Sequence, residues 1–142
     1  MAEIIRFDTG VKEFSLNDAV TVRFCPTDMD FVEKVFNVAD TIDKRTEEYQ
    51  ERVKNLEDNR DVFDEARAID GEIRDLLNSI FDMDICTPLF GTMSTFAAAD
   101  GLPVWANLIF AIIDTLDGDF AEQKKRTNSR LKKYTAKYQR RK

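Results

Sequence analysis

A predominantly helical α+β fold is predicted for this 142-residue chain by three observations. Period-2 alternation is confined to residues 1–25, two long stretches carry apolar residues three and four apart, and a later stretch is apolar on nearly every side. With 43% hydrophobic and 11% aromatic residues, the chain has enough material for one buried core. Residues 1–123 therefore read as a single α+β domain, and 124–142 as a basic helix or tail.

In residues 1–25, Ile5 and Phe7 flank Arg6, Val11, Phe14 and Leu16 follow, and Val20, Val22 and Phe24 alternate with Thr21 and Arg23. Asp8-Thr9-Gly10 and Asn17-Asp18 supply turn residues between these runs. The segment predicts a β-meander of two or three short strands. So small a sheet is marginal alone and must lie on the helices or pair with another chain's edge.

Cys25-Pro26 closes the meander, and Thr27 is placed to cap a helix whose positive end Asp28 and Asp30 favour. The first helical arm of a hairpin is expected over 27–58, with Phe31, Val35, Val38, Ile42, Tyr49, Val53 and Leu56 as its stripe, interrupted by Arg45 and Arg52. Asp58-Asn59 marks a turn. The second arm, 61–82, carries Val62, Ala66, Ile69, Ile73, Leu76 and Ile80, widened by Phe63 and Leu77. Two matching stripes with a short joint imply an antiparallel αα-hairpin.

Residues 86–117 form an apolar helical segment. Pro88 suits a first turn, and the short helix it opens is expected to continue through Phe96 to Ala99. Asp100-Gly101-Leu102-Pro103 then breaks the chain before a helix over 104–116. Trp105, Leu108, Ile109, Ile112 and Ile113 lie on that helix, so it must be enclosed by its own hairpin or by another chain. These five are the candidate client or oligomer interface. Gly118 is read as a break before the final segment. Pro88, Gly91, Gly101 and Pro103 divide the apolar run into pieces shorter than the ~20 residues a bilayer requires, so no membrane is expected as partner. Residues 1–9 carry Glu3, Arg6 and Asp8 and no apolar leader, which points to the cytoplasm.

The charge is bipolar. Ten of the twenty-one Lys and Arg fall in 124–142 with no Asp or Glu; eleven cations face twenty-seven carboxylates in 1–123, a net of −16 beneath an overall −6. Lys132, Lys133, Lys137, Arg140 and Arg141 are the candidate electrostatic contacts to an acidic neighbour, such as a second copy of the chain. Nucleic acid is not the expected partner, because the acidic body repels a polyanion.

Reactive chemistry is sparse. The chain has no histidine, the commonest general base and metal ligand, and its five glycines are scattered singly rather than gathered in a phosphate loop. The carboxylates of 114–119 fail the calcium-loop spacing, and Asp82 and Asp84 read as helix caps. Cys25 and Cys86 read as buried thiols. The expectation is a non-enzyme with no catalytic residue, cofactor or metal site.

Several strings together carry a resemblance: Gly10-Val11-Lys12-Glu13-Phe14-Ser15-Leu16-Asn17-Asp18, Phe24-Cys25-Pro26-Thr27-Asp28, Phe31-Val32-Glu33-Lys34-Val35-Phe36, Asp100-Gly101-Leu102-Pro103-Val104-Trp105-Ala106-Asn107-Leu108 and Lys133-Tyr134-Thr135-Ala136-Lys137-Tyr138. In their order and over nearly its whole length the chain resembles small proteins encoded in the tail-gene regions of phages and prophages of Gram-positive bacteria, and is similar in size and layout to phage tail assembly chaperones. That resemblance implies a protein that binds the long helical tape measure protein, self-associates, and works in the bacterial host's cytoplasm during virion morphogenesis. A structural virion component, such as a tail completion or connector subunit with an inserted basic tail, is the alternative. A nucleic-acid-binding regulator is a second.

Overall fold

The computed structural model describes residues 1–126 and Lys133. The fold is α+β and mainly helical. Strands β1 (Lys12–Leu16) and β2 (Val20–Phe24) pair antiparallel with Phe14 opposite Val22. Asn17 (φ 53°) and Asp18 (φ 55°) make the left-handed turn between them, closed by the Ala19 N–H on the Leu16 carbonyl at 2.9 Å. Asn and Asp are among the few side chains that tolerate this conformation.

The expected third strand is not formed. Residues 1–11 hold no strand, and Ile4, Ile5 and Phe7 are 75%, 87% and 79% exposed. Alternation marks a segment able to pair but does not supply the edge. Here Gly10 (φ 81°), whose N–H donates to Asp8 Oδ1 at 2.8 Å, sits against Cys25, and residues 1–9 add no rung to the ladder.

Aromatic stacking docks the hairpin. Phe24 lies between Phe14 and Phe31, with ring centroids 4.5 and 4.3 Å away, and Phe81 closes the cluster at a tilt. The pair of strands is thereby held on the start of α1 (Met29–Lys54) and the end of α2 (Asn59–Phe81). Asp28, not Thr27, caps α1, accepting from the Asp30 N–H at 3.0 Å; Asp58 caps α2 in the same way, so that helix begins two residues before Asp61.

The two helices form the expected hairpin, with Val35, Val38 and Ile42 buried in one core with Ile69, Ile73, Leu77 and Ile80. On α2 the seam runs through Leu77, which is fully buried, while Leu76 is half-buried and Phe63 exposed. The two arginines that interrupt the α1 stripe reach across the hairpin: Arg52 Nε is 3.1 Å from Glu65 Oε2, and Arg45 Nε is 3.9 Å from Glu72 Oε2. Such exposed pairs contribute about 0–1 kcal/mol each and bias the register of the hairpin more than its stability.

Helix α3 (Cys86–Phe90) is shorter than expected. It stops at Gly91, whose φ of 59° diverts the chain, and a two-residue ladder between β3 (Ala98–Ala99) and β4 (Leu102–Pro103) takes the place of a longer helix. Helix α4 (Val104–Lys125) runs through Gly118 instead of breaking there. One interior glycine costs only about 1 kcal/mol, and Lys124 and Lys125 favourably oppose the helix dipole in the last turn. Trp105, Ala106, Ile109, Ile112 and Leu116 of α4 join Val22, Phe24, Ile85, Cys86 and the helical hairpin in one core. Among the described residues no helix is long and apolar enough to cross a membrane.

Candidate protein-binding surface

The most apolar helix is enclosed chiefly by its own chain. Trp105, Ile109 and Ile112 are 8%, 2% and 4% exposed, so these three are core residues and not the open contact surface that was one expectation for them. Leu108 and Ile113 are half-buried at the margin. With positions 105, 109, 112 and 116 turned inward, the helical period places Phe110, Ile113 and Phe120 along the flank beside that seam, while Asp114, Gly118 and Ala121 take the face opposite it. Phe110 is 51% and Phe120 38% exposed. The same reading of the sequence finds this flank once the inward seam is assigned.

A second apolar feature lies on the other flank of α4. A groove of about 490 Å³ runs between β1, α3 and α4, lined by Phe14, Leu16, Leu89, Phe90, Leu108 and Ile112 among others. Two of the five candidate interface residues, Leu108 and Ile112, therefore reach a shared concavity. Two of its polar neighbours are already engaged: Asn107 Nδ2 donates to the Ala99 carbonyl at 2.9 Å, and the Thr115 hydroxyl to the Ala111 carbonyl at 3.0 Å.

The loop before α4 is positioned by a buried polar network that the sequence pattern conceals. Thr95 is fully buried, and both its N–H and its hydroxyl donate to Asp70 Oδ1 at 2.7 Å. Asp70 Oδ2 pairs with Arg74 Nε at 3.2 Å, and Arg74 Nη2 donates to the carbonyls of Gly91 and Met93 at 2.8 and 2.7 Å. The loop's own carbonyls then receive the first N–H groups of α4, Val104 on Ala97 at 2.8 Å and Trp105 on Thr95 at 3.2 Å. This substitutes for the side-chain cap that Pro103 lacks. In the sequence Asp70 and Arg74 are an ordinary i,i+4 pair, indistinguishable from a solvated one.

A second clamp holds α3. Asn78 Oδ1 accepts from the N–H groups of Ile85 and Cys86 at 2.8 and 3.1 Å, and Asp84 Oδ1 accepts from the Thr87 N–H at 3.1 Å and Asn78 Nδ2 at 3.3 Å. Hydrogen bonds from Thr87 hold the Asp84 carboxyl below its ordinary value. A depressed carboxylate contributes stability that is present above the ordinary Asp value and lost as pH falls through the lower folded value. Asp84→Asn is expected to flatten that part of the acid-side stability profile, measured by urea unfolding across about pH 2 to 6; an unchanged profile would show that the clamp has no titrating role. Burial pushes the Cys86 thiol up to about 11, so it stays neutral and unreactive near neutral pH. Both cysteines are free.

Among the described residues no group of three or more His, Cys, Asp or Glu is placed to hold a metal ion. Of the five basic contact residues, Lys133 is exposed, and Lys132, Lys137, Arg140 and Arg141 lie outside the described residues. Comparison of the chain with protein-family models, curated proteins and solved structures finds no match.

Proposed function

We propose that the protein is a non-enzymatic assembly chaperone or scaffold that binds a helical client and self-associates, in the manner of the phage tail assembly chaperones it resembles, with the tape measure protein as client. The observation that carries the reading is the flank of α4 that holds Phe110, Ile113 and Phe120, where both phenylalanines are exposed beside the core seam. Phe110 and Phe120 stand about 15 Å apart along the helix axis with Ile113 between them, a length over which one helix can seat on another. The basic segment, through Lys132, Lys133, Lys137, Arg140 and Arg141, engages an acidic neighbour in the same assembly. The work is done in the host cytoplasm before the particle is complete.

Co-expression with the tape measure protein of the same genome, followed by affinity capture at low and high salt, tests this. Capture that survives high salt and raises soluble client yield is expected. Phe110→Asp with Phe120→Asp is expected to weaken capture about tenfold to a hundredfold, from the cost of leaving the aromatic contact unmade. Absence of capture with both proteins soluble, or fixed stoichiometry of this chain in finished particles, overturns the reading.

A further inference from the structure

We infer that the groove between β1, α3 and α4 is the seat of residues 1–11 of a second copy, exchanged reciprocally so that two chains close into a dimer. Three observations converge on one occupant. First, Ile4, Ile5 and Phe7 are exposed at 75%, 87% and 79% and find no cover among the described residues. Second, the sequence alternates Ile5 and Phe7 with Arg6, the period of a strand with one buried face. Third, among the described residues the sheet contains β1 and β2 alone, so β1 has an edge unpaired by them, and residues 14–17 at that strand's far end line the groove.

The segment and its seat lie at opposite ends of β1. Lys12, at the start of the strand, is bound to Asp119 near the end of α4, whereas the groove runs from Ser15 and Asn17 toward Val104 and Leu108 at the helix start. Gly10 is packed on Cys25 and its N–H is held by Asp8 Oδ1, beside the start of β1 and apart from the residues that line the groove. Filling its own groove would require the chain to reverse there and retrace about 17 Å of strand. A second copy related by a two-fold axis meets no such demand, and each chain then gives one segment and receives one. The eleven residues of the segment and the fifteen lining the groove place each copy in the range of roughly 20–30 residues a side that stable interfaces engage. Strand addition on β1 supplies main-chain hydrogen bonds, and the groove takes Ile5 and Phe7.

This deepens the self-association in the reading above without depending on its client. A dimer that captures no tape measure protein keeps this inference and removes that one. Sedimentation equilibrium of the full chain is expected to give twice the chain mass. Phe7→Asp in the segment, and separately Ala111→Arg in the groove, are each expected to raise the dimer dissociation constant about a hundredfold; both positions are exposed, so both variants fold. With Cys25→Ser throughout, a chain carrying Phe7→Cys mixed with one carrying Ala111→Cys is expected to form a disulfide between chains. A wild-type mass of one chain, a dimer indifferent to both substitutions, or a bridge formed within a single chain carrying both cysteines each overturns the inference.

Discussion

Leu77→Ala is expected to lower the unfolding free energy by about 3 kcal/mol and the melting temperature by about 10 °C. Leu77 has no exposed surface and lies in the seam of α2 with Ile73 and Ile80, in the cluster that also holds Val35, Val38 and Ile42 of α1. Removing its isobutyl group loses the transfer free energy and leaves a cavity that helices stapled at both ends cannot close. The neighbouring Leu76 is the control. It is half-buried, so Leu76→Ala is expected to cost no more than about half as much. Urea unfolding of both variants checks the register of the seam: equal losses would mean that the hairpin packs through both leucines.

Asp70→Ala is expected to cost about 2–4 kcal/mol, a large effect for a residue on a helix otherwise rich in dispensable charges. The loss comes from what is left behind. Thr95 keeps a buried N–H and a buried hydroxyl with no acceptor, and Arg74 loses the carboxylate that orients it toward the carbonyls of Gly91 and Met93. Thr95→Val removes one donor by itself and is expected to cost about 1 kcal/mol. In the Asp70→Ala background the same change is expected to be nearly neutral, because the orphaned hydroxyl goes with it; the double-mutant cycle measures that coupling. Amide exchange at Val104 and Trp105 is expected to speed up in Asp70→Ala, since the loop carbonyls that receive those N–H groups lose their anchor. Unaltered protection there would confine the network to the stability of the loop.

The parts of the fold legible in the sequence are those written in periodicity. The αα-hairpin follows from spacings that tertiary packing reinforces, and Val35, Val38, Ile42, Ile69, Ile73 and Ile80 are buried where the stripe places them. Misreadings arise where a pattern lacks its partner. Ile5 and Phe7 alternate like a strand but pair with neither open edge of the β1–β2 sheet. Gly118 looks like a stop, yet neighbours that are helix-compatible on both sides carry α4 through it. Gly91, by contrast, ends α3 because its backbone adopts a positive φ that a local apolar run does not disclose. Of the candidate site, the apolarity of α4 was legible and the side facing out was not. An all-round apolar helix gives no moment to choose a face, and the enclosure is decided by a β-hairpin and a loop distant in sequence. The Asp70–Thr95 bond spans twenty-five residues and has no local signature at all.

The reach of α4 past its last tie to the body also bears on what the basic segment senses. Asp119, paired with Lys12, is followed by exposed residues 121–126, and Lys125 stands six residues further along the helix, about 9 Å away. That distance is comparable to the Debye length of about 8 Å at physiological ionic strength. At that separation salt reduces the pull of Asp119 to roughly a third, while Arg126 stays paired with Glu122 at 3.6 Å on the same helix. Dissolved salt becomes a rheostat for the last described turn of α4: dilute buffer strengthens its attraction to the acidic body, and cellular ionic strength confines that attraction to charges in direct contact.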